Sequence, residues 1–558
     1  MVDVVWQENK RLIFDLKQAQ VRNQTSVNNF KSEIRSWCLP ICRELSYFCC
    51  FLTCRYYLSA DWIGSSHQRC SSMYPFLCGL ASNISKAVES ETLHPPMSDS
   101  ITRPVGNTEL TWCKAVPGGT GVTVLGLLFS KPPNIPFLQT ALRNLQNSHP
   151  ILRSRIHQDP SDNTYHFLIP TNPHIEITSF DLQSTSRIIA NDSDDHNINS
   201  ALHLIVEHEL SQNPWHDPSD SLTPADTDVF FASTYTINDR YWAVFLRLHT
   251  AACDRTAAMA VLRELLALLE GKRTAAVLGN EDHIGMPIED LVPKGKANKP
   301  FWARGVDVLG YSLNALRVAN LSFVEANPPK CTKFVKFQLN KDETGRLIAG
   351  CKSRGIKLCG AIAAAGMSAV WISKHLPDDQ REKYAVVTLI DCRSDLDPVL
   401  TSNHLGFYHS GILNTHDVCG ERLWELAKRS YTAFENAKNK KKHFTDMSDL
   451  NFLMNKAIEN PGLTPSSSLR TALMSVFEEP VIDDSNELMH QPLGLEDYVC
   501  CPSVHGVSPS IAIFDTIRDG SLNCVCVYPS PLHSREQMQD LVDHMKRLLV
   551  DGCNDEDQ

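Results

Sequence analysis

The 558-residue sequence predicts an α/β protein whose chemistry is gathered at one strand-to-helix turn. Three observations carry that prediction. Apolar, β-branched runs at 122–129, 229–236, 241–248 and 385–390 read as buried strands. Stretches with a helical period, at 138–145, 256–270, 358–370 and 534–549, are interspersed with them. The turn between 241–248 and 256–270 reads Arg247-Leu248-His249-Thr250-Ala251-Ala252-Cys253-Asp254-Arg255. A histidine and an aspartate on such a turn suit proton transfer inside a cleft, and Gly271 is placed to end the helix that follows.

Composition bounds the rest. Hydrophobic residues make up 42% and charged residues 21%, as in globular proteins, and the length leaves room for two or more domains with large cores. A net charge of −11 gives no general attraction to nucleic acid or anionic lipid, so neither is an expected partner. The one basic run, 438–442, reads as a solvated helix end or loop. Seven of the 19 cysteines fall in the first 96 residues, and the other twelve show no C-x-x-C spacing, so no metal site is expected. Without a secretory signal, reduced thiols and a cytoplasmic location are the expectation. Arg43, Glu44 and Arg55 interrupt the best apolar run, so no transmembrane segment is expected either.

Along the chain, residues 1–96 form a Cys-rich N-terminal extension expected to be poorly ordered, either a peripheral anchor or an upstream segment that packs badly. From Met97 the pattern becomes regular. Pro117-Gly118-Gly119-Thr120-Gly121 is a flexible turn that lacks the Lys-Ser/Thr ending of a P-loop. Leu138, Ala141, Leu142 and Leu145 share a helical face that leads into an L-x-x-x-H-P-x-L-R-x-R stretch, Leu145 to Arg155. There His149 reads as a helix-end residue, and Arg153 and Arg155 alternate along a strand, so they share a face and offer Asp254 a partner. Residues 183–227 are rich in Ser, Asp, Asn and His, and their Asp-rich run 191–196 lacks the glycine and glutamate of a calcium loop, so a solvated loop is expected there. Residues 271–330 read as a crossover linker with an ordered turn at 288–293. Beyond it come a strand at 333–339, a helix from Asp342 to Gly355, a helix at 358–370 buried all round, and a strand ending in Asp391-Cys392-Arg393. Asp519-Gly520 marks a hairpin between 510–516 and 522–528, and Ser534 with Gln537 caps the last helix.

The turn at 249–255 resembles the His-His-x-x-x-Asp-Gly signature of the chloramphenicol acetyltransferase-like superfamily, which includes peptide-synthetase condensation domains, alcohol acetyltransferases and plant BAHD acyltransferases. His249 matches the first histidine, Thr250 the second, Asp254 the aspartate and Arg255 the glycine. The L-x-x-x-H-P-x-L-R-x-R stretch looks like the first helix and following strand of the same families. Arg393 is similar to their arginine near the acceptor channel. Asn403 to His409 resembles the G-N-x stretch that follows it, and Phe514-Asp515-Thr516 sits where BAHD enzymes carry Asp-Phe-Gly-Trp-Gly.

The resemblance implies two chloramphenicol acetyltransferase-like subdomains, 97–270 and 331–550, with mixed sheets flanked by helices, a tunnel between them and a tail at 551–558. It implies transfer of an acyl group from a CoA thioester to an alcohol or amine acceptor by a monomer, with acyl-CoA as co-substrate and no resident cofactor. The second histidine is that family's general base, the aspartate a structural residue that pairs with an arginine. Here the base position is Thr250, whose hydroxyl takes up no proton near neutral pH. Three readings follow: an acyltransferase whose base is His249, His404, His409 or a water held by Thr250; a catalytically impaired relative that binds a thioester or a protein partner; and an acyl carrier at Cys253. His249 and Thr250 should point to opposite faces of their strand.

Overall fold

The computed structural model describes residues 101–554, apart from 160–163, 191–197, 217–225, 273–283, 316, 327–330, 378, 461–469 and 484–491. The Cys-rich extension 1–96 and the Asp-rich run 191–196 lie outside the described residues.

Strand Thr120–Phe129 is buried at every residue, which explains why it reads as a continuous apolar run and not as an alternation. It lies second in a five-stranded sheet ordered Leu495–Val504, Thr120–Phe129, Trp242–His249, Phe230–Thr236, Ile177–Phe180. The first of these strands belongs to the second half of the sequence. It pairs antiparallel with Thr120–Phe129 from Leu495↔Phe129 to Val504↔Thr120, with two irregularities in register. The second half thus supplies an edge strand to the first half's sheet.

A seven-stranded sheet forms the second half, in the order His409–Val418, Glu382–Asp391, Met474–Phe477, Ile511–Arg518, Ser521–Ser530, Cys331–Leu339, with Val481–Asp483 paired beside Ile511–Arg518. Glu382–Asp391, Met474–Phe477 and Ile511–Arg518 run parallel; Asp391 and Phe477 end the first two, and Asp515 lies within the third. Crevices at such carboxyl ends are where α/β sheets place ligands. A four-stranded sheet, Ile101–Pro104, Tyr165–Ile169, Arg155–Gln158, Thr227–Asp228, completes the sheets.

Helix Leu358–Ser373 is buried along most of its length, as its uncharged, Ala-rich sequence predicts, and it packs within the core of the second half. Among the described residues no single helix is long and apolar enough to cross a membrane. The hairpin turn falls where Asp519-Gly520 predicts, with φ of 50° and 76°, a conformation that glycine takes without strain. Ser534 accepts from Gln537 N at 3.2 Å and caps helix Arg535–Asn554. The Gln537 side chain goes to Ser322 O at 2.7 Å.

The polar composition of 183–227 conceals two helices, Leu182–Ile189 and Ile198–Ser211. The second buries Leu202, Ile205, Val206 and Leu210, spaced at three and four residues, under a mostly polar sequence. Those side chains join Val122, Val124 and Phe245 of the first half with Phe477, Phe514 and Val527 of the second in one hydrophobic cluster. Burying each large apolar side chain is worth about 1.5–3 kcal/mol, so this shared core holds the two halves together.

Candidate active site

Strand Trp242–His249 delivers the turn, and helix Arg255–Leu269 leads away from it. His249 is 1% exposed, with the Trp215 ring edge-on at 5.1 Å. Its Nδ1 accepts from Ala251 N at 3.1 Å, which leaves the proton of the neutral ring on Nε2. Burial pushes its pKa down to about 3. An imidazole so reluctant to accept a proton is a poor general base at neutral pH.

Thr250 points to the Gly-rich turn instead. Its hydroxyl donates to Gly121 O at 2.6 Å, so the 3.0 Å contact with Thr123 Oγ1 is one in which Thr123 donates. Gly121 has φ of 97°, and a Cβ there would lie 3.0 Å from the Trp112 ring and 3.1 Å from Thr250 Oγ1. The hydroxyl proton is therefore committed to main chain, and Thr250 acts as a brace between the turn and strand Thr120–Phe129.

Asp254 joins the two halves. As the helix N-cap, its Oδ1 accepts from Ala257 N at 2.8 Å, and it also takes Arg393 Nη2 at 3.0 Å. Oδ2 accepts from Tyr408 N at 2.8 Å and lies 3.0 Å from Arg393 Nη1. His409 Nδ1 is also 3.0 Å from Oδ2, off the line of an ideal hydrogen bond. Burial alone would raise the Asp254 carboxyl, but the Arg393 guanidinium and His409 imidazole hold it well below the usual carboxylate range. Thr256 Oγ1 donates to Asp391 Oδ2 at 2.8 Å and adds a second link beside the first.

The arginine on Asp254 is thus Arg393, and neither Arg153 nor Arg155. Arg153 belongs to the 3-10 turn Pro150–Arg153 and donates to Pro170 O at 2.8 Å and Gln146 O at 3.0 Å. Arg155 opens strand Arg155–Gln158 and pairs with Asp228 at 2.8 Å. The two do not alternate along one strand, because Pro150 starts a helical turn that ends only at Ser154. His149 ends helix Ile135–Ser148 and meets Glu264 at 2.7 Å.

Other candidates separate cleanly. Cys253 is buried, and burial together with Asp254 pushes its thiol well above the usual range, so it offers no thiolate for acyl transfer. Exposed His404 ties its own turn, accepting from Thr401 N at 3.0 Å. Arg255, in the place of the motif's glycine, crosses to the second half, where it pairs with Asp515 at 3.1 Å and covers the Phe477 ring at 4.1 Å. Asp515 is fully buried, and burial keeps its carboxyl above the usual range although Arg255 offsets part of that effect. A row of rings then follows the seam: Trp112 to Phe407 at 5.2 Å, Phe407 to His409 at 6.2 Å, His409 to Phe477 at 5.8 Å and Phe477 to Phe514 at 5.2 Å. Sequence reasoning missed Trp112, Phe477 and the Arg255–Asp515 pair, which no local motif marks. The carboxylates of Asp307, Asp446 and Asp449 lie close enough to hold a metal ion, but they converge on the Lys299 ammonium at 2.5, 2.9 and 2.6 Å.

No sequence-family model matches the chain, and no curated protein matches it by sequence. Solved structures do. The trichothecene 15-O-acetyltransferase TRI3 from Fusarium sporotrichioides superposes with a TM-score of 0.61 at 12% identity, over 83% of this chain and 100% of that one. The chain has the chloramphenicol acetyltransferase-like, condensation-type fold. The epimerization domain from the third module of tyrocidine synthetase B matches at 0.51 and 14% identity, over 83% and 99% of the two chains. The cyclization-docking bidomain of EpoB from Sorangium cellulosum matches at 0.54 and 13%, over 88% and 94%. Within this condensation-type fold the two halves meet at Asp254, with the turn 249–255 on one side and Arg393, Tyr408 and His409 on the other.

Proposed function

We propose that this protein transfers an acyl group from a thioester, with acyl-CoA as donor, to an alcohol or amine. The observation that carries the reading is the buried Asp254–Arg393 pair, which fixes the turn at the junction of two halves in a fold shared with a 15-O-acetyltransferase along that enzyme's whole length. In such a transfer the acceptor oxygen or nitrogen attacks the thioester carbonyl and gives up a proton, and the thiolate leaves. Pairing with Arg393 and two main-chain donors keeps Asp254 ionised and stationary, so the turn does not reorganise during the reaction. On this reading the partners are two small molecules, and the chain works as a monomer in a reducing cytoplasm. The free thiols of Cys113, Cys253, Cys351 and Cys359, buried in the core, suit that compartment.

Thr250 favours a second reading, in which the site binds a thioester or a protein partner without turning it over. Thiol release from a panel of acyl-CoAs by the full chain, with and without mixed alcohol and amine acceptors, separates the two. Acyl transfer predicts thiol release that depends on the acceptor, together with the mass of the acylated acceptor. Tight binding of a donor with no release in any combination supports the second reading. A result of neither binding nor release contradicts both acyl transfer and thioester binding, and leaves only a protein partner.

A further inference from the structure

Beside the Asp254 carboxylate lies one imidazole, that of His409, and it comes from the other half. We propose that His409 is the general base of the transfer, oriented by Asp254 in the role that Thr250 does not fill; this rests on the acyl-transfer reading above. His409 is the first residue of strand His409–Val418 and is 5% exposed. Its Nδ1 lies 3.0 Å from Asp254 Oδ2, and Asp254 is itself immobilised by Arg393, Ala257 N and Tyr408 N. A carboxylate 3.0 Å from Nδ1, even off the ideal hydrogen-bond line, favours the tautomer with its proton there and its lone pair on Nε2. Among the described residues that Nε2 makes no hydrogen bond.

The surroundings of the ring are apolar: Phe407 and Phe477 flank it at 6.2 and 5.8 Å. Trp112 stands beside Phe407 and also packs on Gly121, the residue that holds the Thr250 hydroxyl. His409 therefore shares one aromatic-lined seam with the motif's own base position. The charged groups around it are Asp254, Arg393 behind Asp254, Asp391 directly across the strand pair, and Arg255 against Phe477. The other imidazoles near the turn are committed: His249 is buried with Nδ1 on main chain, and His404 closes its own loop.

In the step this assigns, Nε2 takes the proton of the acceptor hydroxyl or amine as its oxygen or nitrogen bonds to the thioester carbonyl carbon. The tetrahedral intermediate then collapses with cleavage of the C–S bond. The departing thiolate receives that proton back from the imidazolium, so ester or amide and free thiol are formed with the base regenerated.

His409→Asn tests the assignment in the full chain, because the amide keeps a donor for Asp254 and supplies no base. The expected result is a fall in kcat of about 100-fold or more for acceptor-dependent thiol release, with the KM for donor and the urea midpoint little changed. His409→Ala is expected to regain part of its rate when imidazole is added. A folded His409→Asn protein that works within about threefold of the native rate overturns the assignment and leaves acyl transfer standing. A loss that imidazole does not restore, accompanied by lower urea midpoints in both variants, makes His409 a structural residue and also overturns it. Silence from the native chain with every donor and acceptor overturns this assignment and the acyl-transfer reading together.

Discussion

Asp254→Ala is expected to destabilise the protein by about 2–5 kcal/mol, because it leaves the buried Arg393 guanidinium with only the more exposed Asp391 carboxylate, at 3.0 Å, and uncaps helix Arg255–Leu269. Both side chains of the pair are almost wholly buried, so solvent replaces nothing that is lost. Asp254→Asn keeps a single acceptor oxygen, enough for the helix cap, while its amide nitrogen faces Tyr408 N and the charge is lost, so it should recover only the cap's share of the loss. Urea unfolding of the three proteins at pH 7 measures the difference. A midpoint for Asp254→Ala close to native would mean that the halves are held together by the shared apolar core alone. The pH sign is fixed as well. A depressed folded pKa means the Asp254 contribution is present above the unfolded value of about 3.9 and is lost as pH falls below it.

Stability is expected to fall steeply with acid well before Asp254 titrates. Burial holds His249 at about 3, and His416, His443, His505 and His533 at about 4. Unfolded imidazoles titrate near 6.5, so between about 6.5 and 4 the unfolded chain binds protons that the native state refuses. At about 1.4 kcal/mol per pH unit for each group, the five together are enough to exhaust the ~5–15 kcal/mol stability of an ordinary domain. The urea midpoint should therefore drop sharply from pH 7 to pH 5. His443 is fully buried, and neither ring nitrogen has a hydrogen-bond partner among the described residues, so His443→Phe should flatten the profile by one group's share. Equal native midpoints at the two pH values would contradict this account.

The sequence made the local features readable and the distant ones hard to see. The turn 249–255, the Asp519-Gly520 hairpin, the Ser534 cap and the buried helix Leu358–Ser373 all declare themselves through spacing and residue type within a few positions. The partner of Asp254 does not, because Arg393 lies 139 residues away. Nothing local separates Arg153, Arg155 and Arg393 as partners for Asp254, and only the meeting of the two halves selects the last. Strand Leu495–Val504 likewise gives no sign that it leaves its own half for the edge of Thr120–Phe129. Helix Ile198–Ser211 was legible in the spacing of Leu202, Ile205, Val206 and Leu210, but the surrounding polar composition masks it. At the site, a threonine at the position where the resemblance implies a base is readable from the sequence. The occupation of its hydroxyl by Gly121 and Thr123 is a matter of tertiary packing, as is the approach of His409 to Asp254.

The central claim is that proton transfer in this fold no longer depends on the residue at the motif's second position. Thr250→Val tests it most directly, since valine keeps the shape and removes only the hydroxyl. Acceptor-dependent thiol release by the full chain should stay within about threefold of native, with a stability loss of about 1 kcal/mol for the missing hydrogen bonds. A fall of about 100-fold with donor affinity intact would place the Thr250 hydroxyl in the chemistry and contradict the account.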